Sequence, residues 1–203
     1  GDVYAGYRAK KIGLPINKIV VATNQNDIIH RAISNGIYSI EDVSETISPS
    51  MDIQIASNFE RLIYDLNNHS DEKTIEAMES IKEKGKYAIS KENLDKINID
   101  FLSSSMDENE TLKTIKIIYE KFNIVLDPHS AIGYGAFDKV NLKGNNIVLA
   151  TAHPCKFPNA IEKALDLKAE LPNELAFILD EKENYDIIEN NLIKIKHYIK
   201  ERI

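Results

Sequence analysis

"KIVVATNQNDIIHRAISNG", residues 18–36, decides the fold class. Ile19, Val20, Val21 and Ala22 form a short apolar run that ends in Thr23. Such a run, β-branched and bounded by a polar loop, predicts a buried strand over 18–23. The polar "NQND" follows. Asp27 is the expected cap of a helix over "IIHRAIS", and Gly36 its stop. A strand buried on both faces that runs at once into a helix is the unit of a parallel sheet.

The same order recurs near the other end. "NNIVLAT" (145–151) predicts a second strand, "AHPCK" a polar turn, and "FPNAIEKALDL" (157–167) a helix. Between the two lie further helical patterns. Residues 3–12 are amphipathic and stop at Gly13 before Leu14-Pro15. "SNFERLIYDLNN" (57–68) opens with Ser57 and Glu60 at capping-box spacing. Helices are also expected over 71–84, ended by Gly85, and over 90–98, capped by Ser90. "DENETLKTIKIIYEKF" (107–122) puts acids first and lysines later, in accord with the helix dipole. "DPHSAIGYGAFDKV" (127–140) starts a helix at Pro128. "DFLSSSM" (100–106) is a candidate strand. Strands alternating with helices give an α/β fold: three layers, a mostly parallel sheet and helices on both faces. The chain divides into this scaffold over 1–203, a helical or irregular insertion around 38–122, and a C-terminal helix over 184–202.

The bulk numbers exclude some functions. The chain has 203 residues, 43% of them hydrophobic, enough for a sizeable core. Its net charge of −7 and pI near 5.3 argue against a general binder of nucleic acid or anionic membranes. No apolar run is long enough to span a bilayer and no secretory leader is expected. The single cysteine, Cys155, leaves no internal disulfide and points to a reducing, cytoplasmic setting. The opening "GDVYAGYRAKK" is helical from its first residues, as expected of a piece of a longer polypeptide.

Ligands of parallel α/β sheets gather at the carboxyl ends of strands. Two such ends finish in a hydroxyl, Thr23 and Thr151, and a third polar cluster is Asp127, His129 and Ser130. Each candidate also has a plain structural reading. Threonine suits a pleated surface, His153 can be satisfied by backbone groups, and Lys156 can be a solvated surface lysine. Asp2 can simply cap the first helix, and Cys155 lacks a catalytic partner in sequence. The five histidines show no metal-ligand spacing, so no metal is expected. There is no glycine-rich nucleotide fingerprint, Walker loop or nucleophile elbow.

Four segments in one order carry a resemblance: "GDVYAGYRAKKIGLPINKIVVATNQNDIIHR", "SPSMDIQIASNFERLIYDL", "LDPHSAIGYGAF" and "VLATAHPCKFPNAIEKAL". Together they resemble the carboxy-terminal half of the threonine synthase family, pyridoxal-phosphate enzymes of the tryptophan-synthase-β-like fold. The resemblance implies a lyase of threonine biosynthesis that converts O-phosphohomoserine and water to threonine and phosphate. It implies pyridoxal 5'-phosphate as cofactor, and the missing N-terminal half of the same protein as partner. The family's Schiff-base lysine is not in this chain, so the chain alone is expected to be inactive; a parallel sheet cut midway exposes apolar surface, so the chain is also expected to associate with itself or a partner. Asp2 matches the last position of the family's cofactor-phosphate loop, and Thr151 matches the hydroxyl residue facing the pyridine nitrogen. His153 and Lys156 fall in a family-like "TAHPxKF" string and are the candidate substrate residues. Ser57, Asn58 and Arg61 match as well. The alternative is a non-catalytic α/β binding or assembly module on the same scaffold.

Overall fold

The computed structural model describes residues 1–203, the side chain of Leu179 excepted. It divides into two compact units, Gly1–Ala169 and Glu170–Ile203.

The first unit is built on a parallel pair of strands, β1 (Ile19–Thr23) and β4 (Phe101–Ser105), in register from Ile19 with Phe101 to Thr23 with Ser105. Side chains alternate across a strand. Ile19 and Val21 therefore pack with Tyr7 of α1 (Asp2–Lys11) and with Ile28 and Ala32 of α2 (Ile28–Asn35). Val20 and Ala22 pack on the other side with Met106, and with Ile132 and Ala136 of α7 (Pro128–Val140). Helices thus cover both faces, as the sequence pattern predicts. Gly135 lets α7 approach closely, since a Cβ there would meet the Met106 thioether. Behind α7, Ala131 meets Ile115 of α6 (Glu108–Phe122) and Ile161 of α8 (Pro158–Leu165).

The segment between the paired strands adds α3 (Phe59–Leu66), α4 (Asp71–Lys84) and α5 (Lys91–Asp100). It also adds an antiparallel pair, β2 (Ile37–Ser39) with β3 (Lys86–Ala88). Gly36 and Gly85 end α2 and α4 in the left-handed conformation, as expected. Ser90 caps α5, and Asp107 with Glu110 closes a full capping box on α6.

Several expectations need correction. Residues 145–151 form no strand: Ile147 is 89% exposed, and the segment pairs with neither β1 nor β4. A strand is stable only when its backbone groups are paired, and among the described residues no neighbouring strand reaches it. The Ser57–Glu60 capping box does not form, because α3 starts at Phe59, after a turn in which the Phe59 N–H meets the Ala56 carbonyl. Asp27 sits at the start of α2, but its carboxylate takes Arg31 Nε at 2.7 Å instead of capping.

The second unit contains a 310 stretch over Asn173–Leu179 and α9 (Leu192–Lys200). The expected terminal helix over 184–202 is confined to α9, because Asn191 caps it by accepting from the N–H groups of Ile193 and Lys194. Among the described residues, no helix is long and apolar enough to cross a membrane.

Candidate active-site wall

Thr23 ends β1 with a buried hydroxyl (the residue is 9% exposed) that, among the described residues, has no hydrogen-bond partner. It faces a cavity of about 190 Å³ also lined by Gly1, Tyr4, Asn26, Ser50 and Met51. One water needs only about 10–15 Å³. A drug-sized ligand site takes roughly 300 Å³ or more. The cavity therefore suits part of a ligand.

Its rim is fixed by a polar network in the loop after β1. Asn24 Nδ2 donates to Asp52 Oδ1 at 2.7 Å, Thr46 Oγ1 at 2.9 Å and Ser48 Oγ at 3.0 Å. Asn26 Nδ2 donates to the same Asp52 oxygen at 2.9 Å and to the Ser44 carbonyl at 2.8 Å. Asp52 Oδ2 receives the Thr46 N–H at 2.8 Å. A segment that is irregular in sequence is thus folded onto the strand end by buried side-chain bonds.

The third cluster sits at the start of α7. Asp127 is 1% exposed, His129 6% and Ser130 3%. Asp127 Oδ1 accepts from the backbone N–H groups of His129 (2.9 Å) and Ser130 (3.4 Å), and so caps the helix. The same oxygen holds His129 Nδ1 at 3.0 Å, and Oδ2 accepts the Ser130 hydroxyl. His129 Nε2 accepts the Ser50 N–H at 3.2 Å. One ring nitrogen donates and the other accepts, which assigns a neutral imidazole with its proton on Nδ1. The ring lies 4.8 Å from that of Phe157. Burial pushes the Asp127 carboxyl up. The His129 ring, the Ser130 hydroxyl and the two backbone N–H groups outweigh that and hold it below the ordinary carboxylate range.

Thr151 joins this cluster through its backbone. Its N–H donates to Ser130 Oγ at 3.2 Å, and the residue itself is exposed. His153 is exposed, and its Nδ1 accepts the Cys155 N–H at 3.2 Å, which fixes the 310 turn Pro154–Lys156. Lys156 is exposed at the end of that turn. Asp2 is exposed and lies one residue inside α1, where Gly1 is the N-cap and no side chain caps the end. The plain reading of Asp2 as the cap therefore fails. The N–H groups of Asp2, Val3 and Tyr4 precede the first intrahelical bond, Ala5 N–H to the Gly1 carbonyl. Among the described residues, no group of His, Cys, Asp or Glu forms a metal-binding cluster.

Sequence reasoning marked "NQND" and "DPHS" as polar but could not join them. Ser50 and His129 are 79 residues apart, and no periodicity links them.

The model of the family described as "Threonine synthase, C-terminal" matches residues 130–199. The threonine synthase of Pseudomonas aeruginosa is 36% identical over 202 residues, covering 98% of this chain and 43% of that protein. The Saccharomyces cerevisiae threonine synthase is 38% identical over 230 residues, covering all of this chain and 45% of that protein. The solved structure of pyridoxal-phosphate-bound threonine synthase from Brucella melitensis superposes with a TM-score of 0.90 at 38% identity, covering 98% of this chain and 43% of that one. The yeast enzyme structure gives 0.85 at 37% identity, covering 98% and 45%. This chain spans less than half the length of these relatives.

Proposed function

We propose that this chain, which has the sequence and fold of the carboxy-terminal part of threonine synthases, supplies one wall of a pyridoxal-phosphate site. The complete site converts O-phosphohomoserine and water to threonine and phosphate. The observation that carries this reading is the setting of Thr151. Its backbone is held by buried Ser130, while its side chain is exposed and, among the described residues, makes no hydrogen bond.

The residues present suit the cofactor at two places. The open N–H groups at the start of α1 suit a phosphate, and Asp2 contributes one of them. The neutral hydroxyl of Thr151 suits a ring nitrogen that need not carry a proton. When bound, pyridoxal phosphate supplies the electron sink for the reaction. The chain's own residues orient that sink and bound its pocket. Lys156 offers a cation to an anionic substrate group, and His153, held through Nδ1 in the same turn, keeps its Nε2 open.

In this reading the whole chain is the carboxy-terminal part of a cofactor domain, with 38–122 as an insertion, and it works in the cytoplasm. The lysine that acts on the substrate belongs to the part of the relatives that this chain does not span. The chain mixed with pyridoxal phosphate should therefore give no stoichiometric visible band that survives dialysis. Such a band, mapped to one lysine of this chain, would overturn the proposal.

Missing cover has a second consequence. Ile147 and Leu149 are exposed in a segment without a paired strand. Apolar surface of this kind drives association. Sedimentation should show the isolated chain self-associating as concentration rises; a monomer throughout would count against the missing-half reading.

A further inference from the structure

The bonds around Asp127 exceed what a helix cap requires. A cap needs one side-chain oxygen, and Oδ1 alone meets the His129 and Ser130 N–H groups. The remaining bonds lead elsewhere. Through the His129 ring the carboxylate reaches the Ser50 N–H, on the rim of the β1 cavity. Through the Ser130 hydroxyl it reaches the Thr151 N–H.

We propose that Asp127 is a positioning residue that acts through His129 and Ser130 to lock the Ser50 turn and the Thr151 segment together as one rigid wall. The functional meaning rests on the reading of Thr151 given above. The polarity of the bonds is settled by chemistry. The carboxylate only accepts, so Ser130 spends its single proton on Asp127 and keeps a lone pair for the Thr151 N–H. His129 likewise gives its Nδ1 proton to Asp127 and keeps Nε2 for Ser50. Each relay group has one satisfied orientation, and the low-dielectric surroundings strengthen such aligned bonds. Departure of the Ser50 amide leaves buried His129 Nε2 without its donor, and departure of the Thr151 amide strips Ser130 Oγ of the bond it accepts. Both are fixed by one charge, although they lie 79 and 21 residues from the groups that hold them.

Two experiments test this. The first follows single-amide hydrogen exchange by NMR in the 203-residue chain. Asp127→Ser keeps a good N-cap but is too short to reach the His129 ring and the Ser130 hydroxyl. Exchange at Ser50 and Thr151 should accelerate together by at least about tenfold, a modest opening on the scale of local unfolding, while α7 interior amides stay protected. Unchanged exchange at both would overturn the proposal. Should Asp127→Ser fail to fold, Ser130→Ala removes only one arm. It should release Thr151 and spare Ser50, and an unreleased Thr151 amide would overturn the proposal equally.

The second experiment uses a complete threonine synthase carrying this sequence. Ser130→Ala should lower kcat and leave KM nearly unchanged, and Ser130→Thr should restore kcat. Loss that Ser130→Thr fails to restore, or no loss at all, would overturn the positioning role. A silent Thr151→Val enzyme beside positive exchange results would instead sink the assignment of Thr151 and leave the lock standing.

Discussion

Thr151→Val in a complete enzyme carrying this sequence should keep its cofactor and lose about ten- to a hundred-fold in turnover. The substitution is nearly isosteric and removes only the hydroxyl. The backbone bond to Ser130 does not involve that side chain and survives. On the proposed reading, what is lost is one hydrogen bond to the cofactor ring. Such a bond contributes about 1–3 kcal/mol when its partner is left unsatisfied, and each 1.36 kcal/mol is tenfold in rate. In the proposed site the cofactor is held elsewhere, at its phosphate and at a lysine outside this chain, so absorbance of the bound cofactor should persist. Turnover equal to that of the parent enzyme would remove Thr151 from the site.

Asp127→Ala should be strongly damaging, at about 3–7 kcal/mol by urea unfolding. Three losses combine. The α7 cap goes, at about 1 kcal/mol. The Ser130 hydroxyl and the His129 Nδ1–H are left as buried donors without an acceptor, at about 1–3 kcal/mol each. A cost below 1 kcal/mol would contradict this. The sign of the pH dependence follows from the lowered carboxyl. A carboxyl whose folded pKa lies below its unfolded value of about 3.9 stabilises the fold above that pH. The contribution fades as pH falls through the folded value. The stability gap between the parent chain and Asp127→Asn should therefore be flat from pH 5 to 8 and narrow below about pH 4. A gap that widens on acidification would mean that Asp127 is not held as an ionised acceptor.

Local chemistry explains which elements were legible. Glycines with positive φ ended α2 and α4 where the sequence placed the stops. Ser90 capped as expected, and the Asp107–Glu110 box formed where the sequence pointed only to a favourable order of charges, because a cap needs only residues three apart. The Ser57–Glu60 pair has the same spacing and failed, because the chain entering α3 is held in a turn by the Ala56 carbonyl. Residues 145–151 have strand composition and no strand, because pairing is a property of neighbours.

The sequence by itself determined the α/β class, a strand over 18–23 and its helices, the polar ends of its segments, and the resemblance to threonine synthases. Those follow from periodicity, caps and side-chain chemistry, all local in the chain. Only the tertiary structure decided that Thr23 faces a cavity with its hydroxyl unpaired, and that Asp127 holds Ser50 and Thr151 through a buried histidine and serine. Those bonds join residues far apart in sequence, and they form because burial leaves each polar group no partner but the one the packed fold brings to it.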